Sequence, residues 1–132
     1  MPNRVSRTTD NAVVLVEDDD GLRRALERFL ETAGFTVESF ASAEGLLAGQ
    51  TTSRVLCFVL DIHLPGMTGI ELQRRLASMG MNAPVVFITA RDSPSLRRSI
   101  ALSGRDCLIK PFASEALVAA INRAVGERGV SE

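Results

Sequence analysis

One histidine, His63, and two cysteines, Cys57 and Cys107, are all the imidazole and thiol groups this chain carries. Both cysteines lie inside apolar, strand-like runs. Packed thiols in a reducing compartment are therefore the ordinary reading, ahead of a disulfide or a metal pair. An excess of charge of either sign is also lacking. The formal net charge is −1 and the pI near 5.9, which gives no general attraction to nucleic acid or to an anionic membrane. The pairs Arg74-Arg75 and Arg97-Arg98 read as solvated helix faces, since no wider basic field surrounds them. No apolar run approaches the roughly 20 residues needed to span a bilayer, and Met1-Pro2-Asn3-Arg4 lacks the apolar core of a signal peptide. Internal repeats and low-complexity segments are missing too. A cytoplasmic protein with no membrane or direct nucleic-acid contact is implied.

What is present suits one domain with one sizeable core: 132 residues, 45% hydrophobic and 23% charged. The domain is expected over residues 12–125. The polar stretches 1–11 and 126–132 flank it as a tail and as a second tail or the start of a linker.

The most informative stretch is Val55-Leu56-Cys57-Phe58-Val59-Leu60-Asp61-Ile62-His63-Leu64-Pro65-Gly66-Met67-Thr68-Gly69. Six apolar residues end on a carboxylate, and a loop with Pro and Gly follows. A continuous apolar run bounded by turn residues reads as a strand buried on both faces, the kind that helix-covered parallel sheets contain. Ligands of such sheets bind beyond the carboxyl ends of the strands, where Asp61 stands.

Ala12-Val13-Val14-Leu15-Val16 is a second such run and ends in Glu17, Asp18, Asp19 and Asp20. A helix follows, with Leu22, Ala25, Leu26, Phe29 and Ala33 on one face and Gly34 as its stop. Phe35 to Phe40 alternates, as an edge strand does. A short helix from about Ser42 to Ala48 and a polar turn lead to the strand ending at Asp61. Leu72, Leu76 and Met79 mark the apolar face of a third helix, stopped near Gly80. Val85-Val86-Phe87-Ile88-Thr89 is another buried run, and Ser93-Pro94 has the chemistry of a helix start. That fourth helix carries Leu96 and Ile100 and ends near Ser103. Cys107-Leu108-Ile109 is a last short strand before Lys110-Pro111, and a fifth helix turns Leu117, Ile121 and Ala124 inward.

Strands alternating with helices predict right-handed crossovers and a three-layer, doubly wound (βα)5 sandwich around a parallel sheet. The expected strand order is 2-1-3-4-5, as in flavodoxin-like folds. Glu17 and Asp18, Asp61, Thr89 and Lys110 then converge on one edge of the sheet. Carboxylates gathered there need a cation to stay ionised together, and oxygen ligands of this kind suit Mg²⁺. An aspartate beside such an ion can act as a nucleophile towards phosphorus. Charge neutralisation is the chief demand of phosphoryl transfer, and Lys110 and the Thr89 hydroxyl can contribute to it.

Val14-Leu15-Val16-Glu17-Asp18-Asp19, the Asp61 to Gly69 loop, Ile88-Thr89-Ala90 and Lys110-Pro111-Phe112 together resemble the receiver domain of two-component response regulators. The likeness to the CheY-like fold runs from about Ala12 to Val125, and in detail is nearest to receivers of FixJ-type, DNA-binding regulators. The resemblance implies Asp61 as phosphoacceptor, Glu17 and Asp18 as the acidic pair for Mg²⁺, and the backbone carbonyl of His63 as a further metal ligand. Arg23, five residues after Asp18, sets that register, and leaves Asp19 and Asp20 as acids at a helix start. By the same resemblance Thr89 is the switch hydroxyl, Lys110 pairs with the phosphoryl group, and the peptide before Pro111 is cis. Implied partners are a sensor histidine kinase or phosphotransfer protein, and a second copy through the fourth helix and fifth strand. Two departures stand out: Cys107 replaces the family's switch aromatic, and Ser103-Gly104-Arg105 is one residue shorter than the usual segment. Two other functions compete, an aspartate-nucleophile phosphatase of the haloacid-dehalogenase class and a receiver-like module that only binds partners. His63 stands where the phosphatase class has its second acid. The loop Ala90 to Ser93, small and polar, is a candidate hinge.

Overall fold

The computed structural model describes residues 11–49, 54–91 and 93–130. Residues 1–10 of the expected 1–11 tail, the polar turn at 50–53, Asp92 of the candidate hinge and the last two residues lie outside that set. Strands β1 (Ala12–Val16), β2 (Thr36–Phe40), β3 (Val55–Asp61), β4 (Val85–Thr89) and β5 (Asp106–Ile109) alternate with helices α1 (Asp20–Thr32), α2 (Ala43–Gly49), α3 (Gly69–Ser78), α4 (Pro94–Leu102) and α5 (Ser114–Val130). All pairings are parallel and the order is β2-β1-β3-β4-β5, the doubly wound arrangement anticipated above.

Alternate residues of the central strands feed two separate cores, because successive side chains of a strand point to opposite faces. Val14, Val16, Phe58, Leu60 and Phe87 pack under Ala43 and Leu46 of α2, Leu72 and Leu76 of α3 and Ile100 of α4. Val13, Leu15, Cys57, Val59, Val86 and Ile88 pack under Leu26 and Leu30 of α1 and Leu117, Ala120 and Ile121 of α5. Each fully buried Leu or Ile contributes about 1.5–3 kcal/mol. This double-sided burial is why the strands read as unbroken apolar runs.

The helix boundaries follow local chemistry. Asp19 caps α1 by accepting from Leu22 N at 2.9 Å. Thr68 and Glu71 form a reciprocal capping box on α3, and Ser93 caps α4 with Pro94 behind it. Gly34 and Gly80 take φ of 105° and 86° as α1 and α3 end, a conformation glycine adopts without a Cβ penalty.

Four details of the sequence reading are corrected. Ala25 is exposed, since at about 100° per residue it sits a quarter-turn off the stripe centred on Leu26. Ala33 is exposed as the C-cap of α1, and the buried residue of that last turn is Leu30. Met79 is 54% exposed because it is the C-cap of α3, past the last turn that Leu76 anchors. Finally, α5 continues through Gly126 to Val130. One glycine costs a helix only about 1 kcal/mol and does not end it.

Candidate functional site

Because the strands are parallel, their carboxyl ends share one edge, and the polar residues that follow β1, β3 and β5 meet there. Glu17 and Asp61 are 1% and 3% exposed. Burial on this scale costs a charged group heavily unless it is paired. The pairing comes from Lys110, whose Nζ lies 3.0 Å from Asp61 Oδ2 and 2.8 Å from Glu17 Oε1. The backbone helps. His63 N donates to Asp61 Oδ1 at 3.0 Å, and Asp19 N donates to Glu17 Oε2 at 3.0 Å. Arg23 reaches back from α1 to the Glu17 carbonyl at 3.0 Å and pairs with Asp20. The Lys110–Pro111 peptide is cis.

Electrostatics at this edge is a balance of burial against partners. Burial pushes the Glu17 carboxyl up, the Asp61 charge adds to that, and Lys110 with the Asp19 N–H opposes it. Burial by itself would lower Lys110, but its contacts with Glu17 and Asp61 outweigh it and hold the ammonium above its ordinary value. One lysine therefore serves two carboxylates. Among the described residues, Glu17 Oε1 is a buried oxygen with only the Lys110 ammonium beside it, at 2.8 Å and without good hydrogen-bond geometry.

That under-satisfied oxygen bears on metal binding. Glu17, Asp18 and Asp61 each bring one carboxylate oxygen to within 4.8 Å of the others. Asp18 is exposed and faces the solvent side of this cluster. Three hard oxygens, one of them buried with a shared lysine as its only neighbour of opposite charge, fit a small divalent cation that keeps some of its waters.

Thr89 is at the same edge, where its backbone carbonyl accepts from Lys110 N at 2.7 Å, but its hydroxyl is hydrogen-bonded neither to the acids nor to the lysine side chain. Its hydroxyl accepts from Arg91 N at 3.1 Å and donates towards the Arg91 carbonyl at 3.4 Å, so it is closed on its own loop. Cys107, half-buried on β5, pairs in register with Phe87 and packs beside the core under α4. The His63 side chain is exposed. A groove of about 300 Å³ lined by Pro84, Arg105 and Asp106 opens at the opposite edge, where the strands begin, away from the carboxylates.

Of the residues singled out from sequence, Glu17, Asp18, Asp61 and Lys110 come together, His63 joins through its backbone, and Thr89 stands beside them. What the sequence reading missed is the role of backbone donors and of Gly69, which no periodicity signals.

A family model described as "Response regulator receiver domain" matches residues 13–122. The chain is 38% identical over 118 residues to the C4-dicarboxylate transport transcriptional regulatory protein DctD of Rhizobium meliloti, covering 89% of this chain and 26% of that protein. It is 34% identical over 117 residues to the transcriptional regulatory protein FixJ of the same organism, covering 88% and 57%. The chain thus spans a quarter to a little over half the length of these curated relatives. Among solved structures, a crystal structure of FixJ-N superposes with a TM-score of 0.77 at 32% identity, covering 89% of this chain and 94% of that one.

Proposed function

The chain belongs to the response regulator receiver domain family, and from that premise we propose that it accepts a phosphoryl group on Asp61. The observation that carries the reading is the Asp61 carboxylate, buried at the end of β3 yet held by Lys110 at 3.0 Å and flanked by Glu17 and Asp18. One carboxylate oxygen attacks the phosphorus of a phosphorylated imidazole. The O–P bond forms as the P–N bond breaks, and the electron pair leaves on the ring nitrogen. Lys110, already between the two acids, takes charge from the transferring oxygens, and the His63 N–H steadies the carboxylate while it reacts. Glu17, Asp18, Asp61 and the His63 carbonyl would hold Mg²⁺, which would supply the remaining neutralisation.

Thr89 then follows the phosphoryl group. New acceptor oxygens on Asp61 compete with Arg91 for the hydroxyl, and giving up the Arg91 bonds moves the start of the loop into α4. Arg97 and Arg98 on α4, Arg105 in the turn that follows it and Asp106 on β5 form the responding surface, where a second copy or an output segment docks. Asp106 is bound to Arg123 of α5 at 3.0 Å, so that surface includes α5. With Cys107 in place of a ring, the response runs through loop and helix movement. The donor is a sensor histidine kinase or phosphotransfer protein, and the setting is cytoplasmic. Among the described residues no helix is long and apolar enough to cross a membrane. Membership of the receiver family weighs against a substrate phosphatase, and the paired acids and lysine against a module that only binds.

The test is phosphoryl uptake. With Mg²⁺ and acetyl phosphate, intact mass should show one added, acid-labile phosphoryl group, absent from Asp61→Asn. Equal labelling of that variant would sink the assignment.

A further inference from the structure

Gly69 is buried as the first residue of α3, and its torsions are not of the kind that demand glycine, since it is not among the residues with positive φ. Space is the reason for glycine here. A Cβ at this position would overlap the carbonyl oxygen of Asp61 and come within 3.0 Å of both that carbonyl carbon and Ile62 Cα. These are backbone atoms and cannot swing aside as a side-chain tip would. On the far side the strand is held by its ladder, with Asp61 opposite Ile88 and Ile62 N donating to the Ile88 carbonyl at 2.8 Å. From the helix side, Gly69 N donates to the Ile62 carbonyl at 2.8 Å. The Asp61–Ile62 peptide is thus clamped between β4 and the first turn of α3. The carboxylate hangs from that same residue, with Oδ1 on His63 N and Oδ2 on Lys110.

We propose that Gly69 is a positioning residue for phosphoryl acceptance, its missing side chain letting α3 seat against the Asp61 backbone and fix the carboxylate between Lys110 and the acids. The inference rests on Asp61 being the acceptor. Any Cβ at residue 69 tilts the Asp61–Ile62 peptide or lifts the start of α3. Either movement carries the carboxylate and the His63 N–H out of alignment. Displacements of about 1 Å at a reacting group can cost about 100-fold in rate.

The experiment compares the wild type, Gly69→Ala, Thr68→Ala, Gly126→Ala and Asp61→Asn. Zwitterionic phosphoramidate is the donor: its P–N bond breaks, ammonia leaves with the electron pair, and the O–P bond forms. Rates are measured at saturating Mg²⁺ and normalised to the folded fraction from circular dichroism, with trimethylamine N-oxide to keep weakened variants folded. Gly69→Ala should slow uptake about 10- to 100-fold and shift the His63 amide proton resonance. Gly126→Ala, whose added Cβ meets nothing within 4 Å, should match the wild type. A merely structural role would lower the stability of Gly69→Ala while leaving the normalised rate and the His63 resonance in place, and that result overturns the proposal. Should Gly69→Ala not fold even in the osmolyte, Thr68→Ala decides. It loosens the same helix start without a clash, so a several-fold slower uptake is expected, and wild-type uptake would overturn the idea. If the wild type takes up nothing, or Asp61→Asn takes up as much, the acceptor reading itself fails and this inference with it. Uptake at Asp61 that is indifferent to residue 69 removes only the inference.

Discussion

β3 and β4 run side by side and both finish on a buried polar residue, yet different partners tie the two ends down. Asp61 is bound to groups from elsewhere in the chain, to Lys110 after β5 and through that lysine to Glu17 after β1. The Thr89 side chain, by contrast, is bound to its own loop, two residues on, and only its backbone carbonyl meets Lys110 N. The difference follows from charge. A buried carboxylate must recruit an opposite charge from wherever the fold can bring one, whereas a hydroxyl is satisfied by the nearest peptide. On the proposed function, the β3 end would be assembled before a phosphoryl group arrives, while the β4 end would hold a bond it can exchange for a better acceptor.

The largest effect is expected at Lys110. Lys110→Met leaves Asp61 and Glu17 buried without a cation, and removing one member of a buried pair typically costs about 3–5 kcal/mol. Some of that should be recovered here, because Lys110 is partly open to solvent and Mg²⁺, on the proposed function, would substitute for it. Urea denaturation followed by circular dichroism should therefore show a large loss of stability in EDTA and a smaller one in Mg²⁺. Equal losses in the two buffers would mean that the cation and the lysine do not serve the same acids.

Cys57 shows what a titratable group on β3 experiences without an ion partner. Burial pushes its thiol up to about 12 from an ordinary 9.0. The unfolded chain therefore releases this proton near pH 9 while the folded chain retains it. Stability is full below pH 9 and falls as pH rises towards 12, by about 1.4 kcal/mol per unit. Cys57→Ala is less stable overall because of its cavity, but it should lose this slope. A stability difference between the two proteins that stays constant from pH 8 to pH 10 would contradict the account.

Thr89→Val tests the other strand end. It removes the acceptor for Arg91 N, a loss of about 1 kcal/mol, and should leave Mg²⁺ affinity unchanged by calorimetry because the hydroxyl bonds none of the three acids. Weakened Mg²⁺ binding would show that the two ends are already coupled at rest. The smallest effect belongs to Arg123→Ala. Its bond to Asp106 lies on the surface, with side chains 58% and 39% exposed, and exposed pairs contribute about 0–1 kcal/mol. A thermal shift as large as that of Lys110→Met would erase the distinction between buried and exposed charge on which the comparison rests.

The layered fold was legible in the order of residues. Runs such as Ala12–Val16 and Val85–Thr89 are apolar on both faces, and only a sheet covered on both faces makes use of that. The four motifs around Glu17, Asp61, Thr89 and Lys110 were legible as well, because parallel strands must bring their ends to one edge. Boundaries were less so. Ala25, Met79 and Gly126 were misplaced because an alanine, a terminal methionine and a single helical glycine each satisfy more than one local pattern.

What only the tertiary structure decided is how those residues are connected in space. Nothing in the chain order says that one lysine serves two acids, that the buried Glu17 oxygen facing it leans on that lysine alone, or that the Thr89 hydroxyl bonds its own loop. These depend on distances between residues up to 93 positions apart, from Glu17 to Lys110, which packing sets and sequence spacing does not. The same holds for Gly69. As a letter it is one of ten glycines, and only the approach of α3 to the Asp61 backbone shows that this glycine is there for want of room.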